Sequence, residues 1–226
     1  FKNFTNSCTG NIVNSTPINN FGKVNGGVGT PMSFTAQSLN TGYLAMAAEL
    51  DMCDIAKVAK KMGVTTGDGR DITMSNPSEV IGVDNISPIA MAGAYGTIAN
   101  NGTYCQPQAI ERVTDAAGNE LKVPERTCSP VIAPEVAATA AYALQGVMNG
   151  GTGAGANPYD GTALIGKTGT HEALQTWMIE SSTRVVNAAW VGTVQGDNDM
   201  FGRGLQNIRY TLAKNLQRTA DQVYPA

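Results

Sequence analysis

The sequence predicts an α+β fold in which helices pack on an antiparallel sheet. Three observations predict it. Helix-start signals with proline in the first turn recur up to about residue 155. Beyond that point the apolar periodicity switches to three successive strand-like runs. A last stretch then returns to helical spacing.

Residues 1 to 30 are rich in Asn, Gly, Ser and Thr and read as an irregular excursion. "TPMSFTAQSLNTGYLAMAAEL" then starts one helix, with Thr30 as N-cap and Pro31 at the first helical position, where its missing N–H costs nothing. Asp51 to Met62 reads as an amphipathic helix closed by Gly63. Residues 64 to 86 are loop-like. Ser87 to Asn100 repeats the Ser-Pro start and is a buried helix by its small apolar residues. Residues 103 to 123 alternate and turn at Ala117-Gly118-Asn119, which predicts a β-hairpin. "APEVAATAAYALQGVMN" is the next helix, with Pro134 near its start and Gly150 past its end. After a glycine-dense loop come the strands "TALIGKTGT", "LQTWMIES" and "TRVVNAAWVGTV", then a closing helix in "LQNIRYTLAKNLQRT".

Composition bounds the function. The chain has 226 residues, 42% hydrophobic and 15% charged, with a net charge of −3. That balance gives no electrostatic footprint for nucleic acid and no patch for an anionic membrane. No apolar run reaches the roughly 18 to 20 residues that span a bilayer, and the N-terminus shows no signal-peptide pattern. Four cysteines and one histidine without metal spacing argue against a zinc site, and neither metal nor cofactor is expected. The cysteines allow three pairings. Cys105 with Cys128 would close a loop around the hairpin, and four free buried thiols are the alternative.

Gly161 to Thr168 spell G-x-x-x-x-G-K-T, the phosphate-binding P-loop pattern. Its neighbourhood rejects that reading. A P-loop needs a strand before its first glycine and a helix at its lysine. Here a loop with Pro158 precedes Gly161, and the intervening Thr-Ala-Leu-Ile prefers a strand. The informative letters are instead Lys167-Thr168-Gly169-Thr170, with a companion in Ser38-Leu39-Asn40. Acylating serine enzymes without a histidine base use such a set: S-x-x-K, S-x-N and K-T-G. They need a nucleophilic serine, a lysine to take its proton, polar relays and a cationic strand facing a carboxylate. The chain begins "FKNFT", so Phe1-Lys2 matches the end of S-x-x-K, and the expected serine lies two positions before Phe1.

With these motifs the chain resembles the transpeptidase domain of the penicillin-binding proteins, most closely the bifunctional class A members and an actinobacterial one. The resemblance runs through "FTAQSLNTGYLAMAAELDMCDIAKVAKKMGV", "PSEVIGVDNISPIAMAGAYGTIANNGTYCQPQAI", "LQGVMNGGTGAGANPYDGTALIGKTGT" and "TWMIESSTRVVNAAWVG". It implies a serine β-lactamase/DD-peptidase-like fold: residues 1–226 as part of one domain, 1–155 its mainly helical lobe, 156–226 its sheet and closing helix. The first strands and the rest of the domain would be supplied upstream in the same protein.

The resemblance further implies D,D-transpeptidation of peptidoglycan stem peptides ending in D-Ala-D-Ala, with β-lactams acylating the same serine. Lys2 would be the general base, its pKa lowered from about 10.4 by burial or by Lys167. Ser38 would relay a proton to the leaving amine, and Asn40 would hold the substrate amide and Lys2. Lys167, Thr168 and Thr170 would bind the terminal carboxylate. The Thr170 N–H would serve the oxyanion, and Gly169 would leave room for substrate. The resemblance also favours the cysteine pairing over free thiols. It implies work on the extracytoplasmic face of the membrane, anchored outside this chain, with no membrane contact by the chain itself. His171 is expected as a strand-end residue, Trp177 and Trp190 as core, and Glu79 at the surface rather than as the deacylating glutamate of a β-lactamase. The competing expectation is a penicillin-recognising sensor or inactive homologue of the same fold.

Overall fold

A computed structural model describes residues 3–225. The N-terminal excursion is mostly irregular. Its short strands β1 (Asn3–Phe4) and β2 (Ile12–Val13) pair antiparallel. It is tied down by a Cys8–Cys53 disulfide, by the Met52 N–H donating to the Thr5 carbonyl at 2.9 Å, and by the Ser7 N–H donating to Asp51 at 3.1 Å.

The helix expected over residues 30 to 50 is two helices, α1 (Pro31–Gln37) and α2 (Asn40–Ala48). Thr30 caps the first by accepting from the Ser33 N–H at 3.2 Å, as its sequence predicts. Ser38 then turns left-handed, with φ 55 and ψ 47, and the chain restarts at Leu39. α3 (Met52–Lys61) follows and ends at Gly63, whose φ of +75 suits a residue without Cβ. The loop to residue 86 contains one helical turn, Pro77–Ile81. α4 (Pro88–Ala99) begins at Ser87, which caps the Ala90 N–H.

The hairpin region is built differently from the expectation. β3 (Thr103–Cys105) pairs with the distant β6 (Cys128–Pro130), and the Cys105–Cys128 disulfide joins partners in that register. The true hairpin, β4 (Val113–Thr114) with β5 (Glu120–Leu121), lies inside the loop so closed. Its turn is held by Asp115, which accepts from the Ala117 and Asn119 N–H groups. By loop-closure entropy each disulfide contributes about 3 to 4 kcal/mol.

α5 (Pro134–Met148) leads into the sheet of β7 (Ile165–His171), β8 (Gln175–Ser181) and β9 (Val186–Gly192), antiparallel in the order β7-β8-β9. α6 (Ile208–Val223) closes the chain. Alternation along the strands sorts the two faces. Met178 and Ala189 join Met148 and Ala213 of α6 in one core cluster. Val186, of opposite parity, faces Gly96 of α4. A second cluster, built on Phe4, Leu44, Met52, Ile72 and Met74, forms the heart of the helical lobe. Among the described residues no helix is long and apolar enough to cross a membrane.

The α6 face of the sheet also buries a carboxylate. Glu180 is fully buried; its Oε1 accepts from Asn187 at 3.2 Å, while its Oε2 has no protein partner. Asn187 also donates to Gln217, which donates to Asp221. Burial, with the Asp221 charge adding to it, pushes the Glu180 carboxyl up from 4.5 to about 7. The folded state therefore keeps a proton that the unfolded chain releases between those values, and stability falls as pH rises through that window. The Glu180→Gln variant is expected to remove this slope. Against wild type it gains on the order of 3 kcal/mol at about pH 8 relative to about pH 5, read from denaturant unfolding at both pH values.

Candidate active site

The break between α1 and α2 delivers Ser38 to the sheet. Its N–H returns to the Phe34 and Thr35 carbonyls and the Leu39 N–H to Phe34, so α1 ends in a left-handed cap without a glycine. A non-glycine residue in that region is uncommon and marks a constrained position. The sharp reversal lets the two helices touch closely: a Cβ on Gly42 would sit 2.4 Å from the Phe34 ring.

Opposite stands β7. The Lys167 Nζ donates to Ser38 Oγ at 2.5 Å and to the Thr168 carbonyl at 2.9 Å. Because the ammonium only donates, Ser38 Oγ accepts here and its own proton is free to be given elsewhere. Burial, reinforced by the Arg209 guanidinium, lowers the Lys167 pKa to about 8. Thr168 is buried and shares a 2.8 Å hydroxyl bond with Thr152 of the loop after α5. That loop is docked on α1, since the Thr152 N–H donates to the Ala36 carbonyl at 2.9 Å. Ser38, Asn40 and Lys167 to Thr170 line one cleft of about 370 Å³, with Tyr43, Glu79, Asp84 and Tyr95 around them. Burial raises the pKa of both tyrosines, so they stay neutral.

The structure thus brings Ser38, Asn40, Lys167, Thr168, Gly169 and Thr170 together, while Lys2 lies outside the described residues. The structure adds contacts that the sequence does not announce. The Asn40 amide donates to the Asn19 carbonyl at 2.8 Å and so pins the N-terminal excursion to α2. Gly169 lies close to its cross-strand neighbour, since a Cβ there would sit 3.1 Å from that of Trp177. Trp177 and Trp190 are not core; they are half-buried and line an adjoining cavity of about 550 Å³ with His171, which is exposed. Glu79 is half-buried rather than at the surface, and it caps its own loop. It accepts from the Met74 and Asn76 N–H groups and from the Ser75 hydroxyl.

Sequence reasoning missed Thr152, Arg209 and Tyr210. Arg209 is 5% exposed and donates to the Gly169 carbonyl at 2.6 Å and to Thr170 Oγ1 at 3.0 Å. No carboxylate pairs with Lys167 or Arg209 among the described residues, whose four ion pairs are all at the surface. The half-buried Lys167 and the buried Arg209 are thus two cations at β7 without an ion-pair partner, and Glu79 and Asp84 also line the cleft.

Comparison with known proteins agrees with the motifs. A family model described as the penicillin binding protein transpeptidase domain matches residues 2–213. Penicillin-binding protein 1B of Vibrio cholerae is 28% identical over 191 residues, covering 80% of this chain and 24% of that protein. Penicillin-binding protein 1A of Mycolicibacterium smegmatis is 29% identical over 218 residues, covering 84% and 28%. The chain therefore spans about a quarter of the length of these relatives. PonA1 from Mycobacterium tuberculosis, in its complex with penicillin V, superposes with a TM-score of 0.73 at 25% identity, covering 88% of this chain and 59% of that one.

Lys167 is expected to titrate at about 8 rather than 10.5, as seen by lysine side-chain NMR over a pH series. The Ser38→Ala variant keeps the value well below that of a solvated lysine, because burial is the larger cause.

Proposed function

This chain belongs to the transpeptidase family of penicillin-binding proteins, on the class A branch of its 1A and 1B relatives, and we propose that it cross-links peptidoglycan as a D,D-transpeptidase. The supporting observation is the Lys167–Ser38 bond, set in the cleft beside a strand whose lysine has no ion-pair partner among the described residues. The substrate is a stem peptide ending in D-Ala-D-Ala, whose terminal carboxylate lies against Lys167, Thr168 and Thr170. The nucleophile is the serine two positions before Phe1, in the S-x-x-K frame completed by Lys2.

Its Oγ bonds to the penultimate D-Ala carbonyl carbon as its proton passes to Lys2, and the Thr170 N–H supports the oxyanion. The C–N bond then breaks as Ser38, whose proton is not engaged with Lys167, hands that proton to the departing D-Ala amine and takes in its place the one carried by Lys2. The amine of a neighbouring strand attacks the ester, its proton passes by way of Lys2 to the departing serine oxygen, and the new amide completes the cross-link. β-Lactams acylate the same serine. The two disulfides suit an oxidising, extracytoplasmic compartment.

The test is labelling of the protein carrying this chain with a fluorescent penicillin, followed by mass-spectrometric mapping of the modified residue. The label is expected on the serine two positions before Phe1. A label on Ser38, or none, overturns the assignment. Turnover of a D-Ala-D-Ala ester or amide then distinguishes a transpeptidase from a penicillin sensor, which labels without turnover. Lys167→Ala is expected to slow acylation about 10²- to 10³-fold, the size found for removing one preorganised donor.

A further inference from the structure

Arg209 reads in the sequence as one more polar residue of an amphipathic helix. In the structure it is buried against the back of β7, and every bond it makes leads to the cleft. Besides Gly169 and Thr170, its guanidinium donates to the Tyr210 hydroxyl at 2.9 Å. Tyr210 in turn donates to the Thr152 carbonyl at 3.1 Å, and Thr152 holds Thr168. The guanidinium carbon also lies 4.7 Å from the Tyr210 ring centroid. Its Nε has no partner, and no carboxylate balances the charge among the described residues.

Burying a cation without a counter-charge is expensive, several kcal/mol per ion even after relaxation. A purely architectural link between α6 and β7 needs no charge. The direction of the hydrogen bonds says what the charge supplies. A guanidinium has donors only, so Thr170 Oγ1 must accept from it. The Thr170 proton is thereby turned away from Arg209 and left for an acceptor in the cleft. The neutral alternative, a glutamine, could accept from Thr170 and draw that proton out of the cleft.

We propose that Arg209 is a positioning residue that fixes Thr170 as a hydroxyl donor and adds a second positive charge behind the strand, so that the cleft selects acyl donors carrying a carboxylate. The proposal rests on the transpeptidase reading, because the carboxylate it serves is that of the acyl donor. It agrees with the lowered Lys167 pKa, of which burial is the larger cause and the Arg209 charge the second. The other titratable groups around Lys167 are Tyr43 of α2, Tyr95 of α4, and Glu79 and Asp84 of the segment before α4.

The experiment compares acylation of wild type, Arg209→Lys and Arg209→Gln by a penicillin and by the methyl ester of the same penicillin, in the protein carrying this chain. Arg209→Gln is expected to slow the carboxylate form about 10- to 100-fold, the worth of a charge-assisted bond, and to leave the neutral ester within about twofold. Arg209→Lys restores part of the preference, since it keeps the charge without the fork. An equal loss on both probes, or no loss on either, overturns the proposal.

Two further readouts hold if a variant folds poorly or the wild type does not react. Thr170→Val is expected to reproduce the selective loss without touching α6, and an equal loss on both probes there also counts against the proposal. The Lys167 titration, followed by NMR, needs no nucleophile: in Arg209→Gln it moves up from about 8. An unmoved titration overturns the electrostatic half of the proposal. A wild type that reacts with neither probe overturns the transpeptidase reading itself, and the titration tells the two failures apart.

Discussion

The bond from Lys167 to Ser38 is the contact on which the rest of the arrangement depends. It joins residues 129 positions apart and spans the gap between the helical lobe and the sheet. For it to form, α1 must stop where its apolar spacing would let it continue, so that Ser38 leaves the helix surface and faces β7. The stop is made by backbone alone, through a left-handed residue and a restart one residue later. On the other side, β7 must stay straight and in register for Lys167 to project into the cleft. Full-length pairing with β8 provides that. The loop after α5 then fixes the distance between the two halves, with its Thr152 N–H on α1 and its Thr152 hydroxyl on β7. Gly151 allows that docking, since a Cβ there would lie 2.5 Å from the Ala36 carbonyl oxygen.

Much of this was legible in the sequence, and the reasons are local. Proline-marked helix starts are decided by a few neighbouring residues, and α1, α4 and α5 begin where Pro31, Pro88 and Pro134 place them. The three long strands fall within about three residues of their expected bounds, which is ordinary for such readings. What escaped depends on partners far along the chain. Thr103 to Cys105 alternates like the first arm of a hairpin, yet its partner is Cys128 to Pro130, and nothing in the intervening residues announces that pairing. The break at Ser38 escaped for a different reason. Helix C-caps are read from glycine, and here a serine adopts the glycine conformation, with its hydroxyl bonded to Lys167 across the cleft.

The site residues divide along the same line. Ser38, Lys167, Thr168 and Thr170 line one cleft, and motif letters already group them in the sequence. Arg209 was invisible, since a lone arginine on a helix of mixed polarity reads as solvated until the sheet behind it is known. Glu79 shows the converse. A glutamate near the cleft invites a catalytic reading, but three loop donors engage its carboxylate and tie it to its own segment.

The pattern G-x-x-x-x-G-K-T shows why spacing alone misleads. A phosphate cradle needs glycines so that backbone N–H groups can curl around an anion. Here Gly166 lies in a paired strand, where a Cβ would come 2.7 Å from the Ile179 carbonyl oxygen and 2.5 Å from the Met148 sulfur. That glycine serves packing against α5 and β8, not a ligand. Gly161, with a φ of +100 and open space around it, serves only the turn that feeds the strand. The lysine alone keeps the sense the pattern suggests, a cation offered to an anion. It is offered from an extended edge rather than a loop, with hydroxyls instead of amides beside it. Such an edge suits a carboxylate at the end of an extended peptide, because the peptide can lie along the strand that holds its terminus.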